Sequence, residues 1–558
     1  MNDTGSRVPP ADAYAAGQGV RSIAQSAPIV TQTPSIRSAL DAGDIGLYPI
    51  GNFYQTSGRC NDCATIRQAL WYFQDEPILV PNRAVPLAGF APGVRAKDDI
   101  AWWAATQKEQ AAMDYPPLIW IGAPEVARSA WLDPDGKRIT VGGERWEFDV
   151  VPKIALNRSY YNAESIAFLR TRPLTLRGTS AGGRFIARTV WPEDFRLDAD
   201  AETRVVNASS DAIRELVRGE PRGGAQSPFA AYVLWERHPG IARSWEGKPI
   251  LATILNGAQG DDDEAHGGHF AMLTGRVGTG GAIGNWLANN FYTLDSYSEK
   301  GIIAAMLPLD NYLADLNSGQ GWYRPSYLIV AVLKDQRSAV LIQNAFCRVY
   351  NQFYRHQLVY RHPTMNCASI SVDVLRAMGW QVPARGATSR ALAVLGMPYY
   401  AIREKSVDKA IEGFDYFYED RTRLFPAAAF EEIGAGLVRI AQQPLADKPS
   451  ALEHMLAEDI EALVFLRVPQ IPSSRVWGDY PVVAFREYAA RWPSDPALQK
   501  IIPVPPRPFP EAMRDPDLLP APRRRGEIAL GIWAALSLIG LPWLLWREWR
   551  RRRSRRAE

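Results

Sequence analysis

Cysteine and histidine are the residue types in this chain best suited to nucleophilic chemistry, and it holds four cysteines and six histidines. Cys367 stands in "RHPTMNCASISVDVLRAMGW", Arg361 to Trp380, where it opens "CASISVDVLRAM", a pattern that predicts a helix. A thiol at a helix start is drawn toward the thiolate, because unpaired N–H groups favour negative charge there. It still needs a base. His269 leads the apolar strand pattern "HFAMLTGRV", with Gly267 and Gly268 leaving room around it, and a strand is a rigid mount for a general base. His266 lies in the acidic stretch "DDDEAHGG" and is expected in solvent, while His356 and His362 lie close to Cys367 in sequence and compete for the role. The plain alternative is a small cysteine packed in a core and a structural histidine before a strand.

Other groups could carry different chemistry. "GTSAGG", Gly178 to Gly183, holds a Gly-x-Ser-x-Gly with Ser180 in the nucleophile position. The preceding "PLTLR" and the following β-branched "RFIARTVWPEDF" suit two strands, so a hairpin turn explains the glycines. "CNDCATI", from Cys60, echoes "MNCASI" before Cys367, which makes Cys63 a rival nucleophile. The Cys60/Cys63 pair also fits a redox couple, half a metal site or a local disulfide. "DDDE", Asp261 to Glu264, reads as a solvated loop, because calcium loops space their ligands. Cys347, before "RVY", reads as core. Four cysteines are too few for a disulfide-framed domain or a zinc ribbon, and no metal or cofactor is expected.

The elements that must position these groups belong to a largely globular chain of 558 residues, 47% hydrophobic and 22% charged. A net charge of +3 with no basic stripe in the body argues against a nucleic-acid partner. Residues 1–45 read as a flexible segment and 46–248 as a mixed α/β region, with helices at Cys63–Phe73 and Asp98–Met113 (Asp98 as N-cap) and strands in "PPLIWIGA" and "RWEFDVVPKIAL". Residues 249–385 hold the strand patterns "PILATIL" and "HFAMLTGRV", the apolar run "YLIVAVL" that periodicity does not assign, and the cysteine helix. Residues 386–500 read as helical, including "LEHMLAEDIEALVFL", and 501–527 as a Pro/Arg-rich linker.

"IALGIWAALSLIGLPWLLW", Ile528 to Trp546, carries no charge and as a helix would rise about 28 Å, close to the thickness of a hydrocarbon core. Arg523 to Arg525 precede it and the basic tail 547–558 follows. Dense arginine at both ends and boundary tryptophan favour one transmembrane helix in a lipid bilayer over a buried core helix. The positive-inside rule places the tail in the cytoplasm and the body outside, whereas "MNDTGSRVPPADAYAAGQGV" shows no apolar export signal. These cues conflict, and the expectation follows the first.

In their order along the chain, "GGHFAMLTG", the segment "NNFYTLDSYSEKGIIAAMLPLDNYLADLNSGQGWYRPSYLIVAVL" and "YNQFYRHQLVYRHPTMNCAS" resemble the Lnb N-terminal periplasmic domain family. That family belongs to the circularly permuted thiol hydrolases, related to NlpC-type peptidases and lecithin retinol acyltransferase. The resemblance implies an α+β, papain-like core, with an antiparallel sheet packed on the cysteine helix, flanked by mixed regions and the transmembrane helix. It implies Cys367 as nucleophile, His269 as base and Asn366 as the residue shaping the turn before the nucleophile. Asn290 and Asp295 are the candidates for the polar group that orients the imidazole. A membrane-bound relative moves a fatty acyl chain onto a lipoprotein amino terminus. The expectation is therefore a single-pass protein of the bacterial inner membrane with a periplasmic catalytic domain. It would act as an acyltransferase or hydrolase on a lipid, lipoprotein or peptide. A non-catalytic binding or assembly protein is the alternative.

Overall fold

In the computed structural model of the chain, the described residues are 35–107, 112–151, 161–219, 228–256, 268–294, 303–314, 325–442, 445, 448–469, 471, 509–515 and 524–535. The DDDE run, His266 and Asp295 lie outside them.

The described residues open with β1 (Ile36–Ser38), followed by β2 (Phe53–Ser57), β3 (Pro77–Pro81) and β4 (Ile119–Trp120), the last three forming a small antiparallel sheet. The helix expected over Cys63–Phe73 is confined to Arg67–Tyr72, and that over Asp98–Met113 is described at Ala96–Thr106. Asp98 is not its N-cap. The cap position is Arg95, and Asp98 and Asp99 fall in the first turn, where negative charge favours the helix dipole.

Strands β5 (Glu125–Leu132), β6 (Arg138–Val141), β7 (Glu144–Val150), β8 (Leu174–Ala181) and β9 (Arg184–Pro192) pair in the order β5-β6-β7-β9-β8. β8 then pairs back onto β5, closing a five-stranded barrel. Closure removes the exposed edges of a sheet. Alternate residues such as Ile139, Val141, Phe185 and Ala187 fill a core separate from that of the rest of the chain. "GTSAGG" is the β8–β9 hairpin, and Gly182 and Gly183 supply the positive φ values, 57° and 77°, that its two-residue turn requires.

The main sheet holds β10 (Glu202–Thr203), β11 (Ala230–Glu236), β12 (Pro249–Asn256), β13 (His269–Arg276), β14 (Leu287–Asn289), β15 (Met306–Pro308), β16 (Ser326–Leu333) and β17 (Ile460–Val468). Their order is β10-β11-β17-β16-β12-β13-β14-β15, antiparallel except for β10–β11. β12 and β16 are buried along their whole length, which is why "PILATIL" and "YLIVAVL" are unbroken apolar runs. "LEHMLAEDIEALVFL" is not one helix. A helix capped by Ser450 and Glu453 spans Ala451–Asp459, and β17 then runs between β11 and β16. The helices Arg337–Tyr354, Cys367–Ala377 and Pro426–Gln442 pack on this sheet.

This arrangement corrects the expected α+β, papain-like architecture with a C-terminal transmembrane helix. The chain is mixed α/β, with parallel pairs β7–β9 and β10–β11, a closed barrel and large sheets drawing strands from both halves of the sequence. No helix among the described residues is long and apolar enough to cross a membrane. The expected span Ile528–Trp546 begins inside a helix at 525–535. Ala529, Leu530 and Trp533 of that helix pack on Ala393, Met397, Ile411 and Phe414 of helices Arg390–Arg403 and Val407–Tyr418. The Gly526 N–H also donates to Asp415 at 2.9 Å. Three of the apolar side chains read as lipid-facing thus cover protein, while Ile528 and Ile532 are exposed. A single-pass inner-membrane location, with the orientation built on it, is not supported. Residues 536–546 and the basic tail lie outside the described residues.

Candidate active site

His269 is the first residue of β13 and is buried, with its Nε2 2.5 Å from Oδ1 of Asn290. Asn290 follows β14, whose Asn289 pairs with Met272, so the antiparallel register brings Asn290 back beside the start of β13. The Asn290 Nδ2 donates to the Ile303 carbonyl at 2.5 Å, which fixes the amide with its oxygen toward the imidazole. Nε2 therefore carries the proton and donates it to Asn290, and Nδ1 is the basic nitrogen. The Tyr350 hydroxyl donates to the Asn290 carbonyl at 2.7 Å and holds the backbone in place.

Cys367 is the first residue of its helix, which packs against β13. Asn366 is the N-cap. Its Oδ1 accepts from the N–H groups of Ala368 and Ser369 at 3.0 and 2.9 Å, and the Ser369 hydroxyl accepts from Asn366 N–H at 2.7 Å. Asn366 Nδ2 donates to the carbonyls of His362 and Leu424 at 2.8 and 3.0 Å, tying the turn to a distant segment. The expected turn-shaping place of Asn366 is thus a reciprocal cap.

The thiol does not have the lowered pKa expected of a helix start. Burial pushes Cys367 up to about 11, against the opposing pull of the Phe270 N–H, the Tyr360 hydroxyl and the N–H groups of Ala368 and Cys367 itself. The resting thiol is neutral. The Phe270 interaction also locates the nucleophile against the residue that follows His269.

Tyrosines close the site. The rings of Tyr292 and Tyr312 each lie 6.2 Å from that of His269, and Tyr360 stands 5.1 Å from Tyr292. All three tyrosines lie inside the stretches that carry the family resemblance, yet nothing local in the sequence assigns them a place at the site. Nor does anything local assign one to Asn256, at the end of β12. The only local signal for it is an amide ending an apolar run.

The rivals sit elsewhere. The Ser180 hydroxyl and backbone N–H both donate to Glu125, on the barrel, and no contact to a histidine is present there among the described residues. Cys60 and Cys63 form a disulfide with a Cα separation of 5.8 Å, which removes the Cys63 thiol as a nucleophile. Cys347 is buried in the long helix 3.1 Å from the Tyr48 hydroxyl, and burial raises it to about 12. His356 bonds the Tyr72 hydroxyl and packs on Phe509. His362 lies edge-on to Tyr292 and Tyr360 at 5.9 and 5.3 Å, at the rim of the site.

No protein-family model matches the chain, and neither a curated protein nor a solved structure matches it.

Proposed function

We propose that this protein is a cysteine-dependent acyltransferase or hydrolase acting on an ester or amide through an acyl-enzyme. The observation that carries this reading is the His269 imidazole, its tautomer set by Asn290, on the strand against which the start of the Cys367 helix packs. A neutral thiol calls for general-base attack. His269 Nδ1 takes the thiol proton as Cys367 Sγ bonds to the acyl carbon. The backbone N–H of Cys367, at a helix start, is the donor for the developing oxyanion. The tetrahedral intermediate expels the alcohol or amine, which leaves with the proton from His269. Water, or a second alcohol or amine, then gives a proton to His269 and attacks the thioester. Cys367 departs and recovers that proton. Water makes the enzyme a hydrolase, and another acceptor makes it a transferase. The resemblance of Asp261–Trp380 to the Lnb N-terminal periplasmic domain family favours the same chemistry on a lipid, lipoprotein or peptide.

The test is incubation with p-nitrophenyl acetate, followed by mass mapping of the acetyl adduct. The expected outcome is a burst of nitrophenol with acetyl on Cys367, lost in Cys367→Ala and slowed at least tenfold in His269→Ala. Acetylation spread over lysines and indifferent to both variants would overturn the reading. The burial of Cys367, 3% exposed, favours a second reading: a non-catalytic binding or assembly protein in which this cysteine only packs. The absence of any adduct on Cys367 would select it.

A further inference from the structure

Three buried polar side chains beside the proposed pair carry atoms that make no well-formed hydrogen bond among the described residues. Asn256, the last residue of β12, is 1% exposed, yet neither its amide nitrogen nor its amide oxygen meets a hydrogen-bond partner among the described residues. The same holds for the hydroxyls of Ser326, the first residue of β16, and of Tyr312. Asn256 is the cross-strand partner of His269 on one side and of Ser326 on the other, so the three side chains form a row on one face of the sheet. Tyr312 reaches the same place from the helix Leu309–Ala314, its ring 6.2 Å from that of His269. Its hydroxyl lies close enough to the Asn256 side chain to interact with it, though outside hydrogen-bond geometry, and it feels the charge of a Cys367 thiolate.

Buried polar atoms without partners are costly and rare in folded proteins. Clustered at a proposed nucleophile, they mark the place of a ligand that supplies the missing bonds. The chemistry of Asn256 narrows that ligand. Its Nδ2 needs an acceptor and its Oδ1 needs a donor. An ester offers acceptors alone. An amide offers both a carbonyl and an N–H, in the plane that a side-chain amide can match, and the two hydroxyls adapt to either.

Resting on the reading of Cys367 and His269 as a catalytic pair, we propose that Asn256, with Tyr312 and Ser326, forms a subsite for an amide group of the substrate. The enzyme then prefers acyl amides or peptides to esters of similar leaving-group reactivity.

The test compares alkylation of Cys367 by iodoacetamide and by methyl iodoacetate, neutral reagents of similar size that differ as amide and ester. N-acetylcysteine corrects for intrinsic reactivity. In the wild-type protein the corrected ratio should favour the amide by about tenfold, the factor that about 1.4 kcal/mol produces. Asn256→Leu, which keeps the branching and the number of heavy atoms and removes both polar groups, should bring the ratio back to that of the free thiol. Tyr312→Phe should lower it in part. The wild-type ratio needs no variant, so a failure of Asn256→Leu to fold leaves the proposal testable. A wild-type ratio equal to that of N-acetylcysteine, with labelling still dependent on His269, overturns the amide subsite alone and identifies the gap as one filled by solvent. Labelling of Cys367 indifferent to His269→Ala overturns the catalytic pair, and the subsite with it.

Discussion

The rate at which Cys367 reacts across pH separates an assisted thiol from an inert one. Burial holds this thiol at about 11, against an ordinary value of 9.0. That gap of about two units leaves about a hundredfold less thiolate near neutrality than an exposed cysteine has. Unassisted, Cys367 should therefore alkylate at most about one-hundredth as fast as N-acetylcysteine, with a rate that climbs tenfold per pH unit up to about 11. With His269 Nδ1 accepting the proton during attack, the rate should instead approach that of the free thiol near neutrality. It should then flatten over the range in which the imidazole is neutral. The assay is iodoacetamide labelling of the whole protein with peptide mapping, in the wild type and in His269→Ala. Cys347, also buried and raised to about 12, serves as the internal unassisted thiol. The expected result is a wild-type rate at least thirtyfold above that of Cys347 near neutrality, most of it lost in the variant. A slow wild-type rate with unit slope from pH 7 to 10, unchanged by His269→Ala, would refute general-base assistance.

Three further outcomes follow from the same contacts. Asn366→Ala removes the cap bonds to Ala368 and Ser369 and leaves the His362 and Leu424 carbonyls without their donor, so thermal unfolding should show a loss of about 1–3 kcal/mol; an unchanged melting temperature would deny the cap its part. Asp310→Asn leaves the Arg177 guanidinium, which joins barrel strand β8 to the helix Leu309–Ala314 at 2.8 Å, buried without its counter-charge; the urea midpoint should fall by the equivalent of about 3–5 kcal/mol, and a shift within error would contradict a closed ion pair. Because the folded state holds the Cys367 and Cys347 protons more tightly than the unfolded state, with values raised from 9.0 to about 11 and about 12, the stability they contribute is complete below about pH 9 and is lost as pH rises through those values; Cys347→Ala should flatten this alkaline decline in a denaturant series, and an identical slope would exclude its contribution.

Sequence reading succeeded where the signal is local. β12 and β13 announce themselves as apolar runs, the GTSAGG turn by its glycines, and the Cys367 helix by an Asn-Cys start whose cap is built from neighbours in the chain. It failed where a partner far along the chain decides. Ile460–Val468 continues a helical pattern and becomes a strand because β11 and β16 flank it. The barrel depends on β8 returning to β5, some fifty residues earlier, which no periodicity encodes. The apolar stretch after Arg525 meets a composition test for lipid, but Ala529, Leu530 and Trp533 serve equally well against Ile411 and Phe414.

The site divides along the same line. Cys367 and His269 stand out by type and by their places at the starts of elements. Asn256 gains its meaning only from a register that sets it across from His269 and beside Ser326. The thiol shows the physical reason most directly. A helix start is visible in sequence and pulls a cysteine toward the thiolate, by an effect that fades within the first turn. Here Asn366 accepts from the N–H groups of Ala368 and Ser369, so the Ala368 pull is shared between cap and thiol. Removal of solvent by β13, Tyr360 and the packed helix acts on the whole charge, and it exceeds what the N–H groups of Phe270, Ala368 and Cys367 return. Desolvation is a property of the assembled fold, so the sign of the Cys367 shift could not be read from the helix alone. The need for a base at His269 follows from that sign.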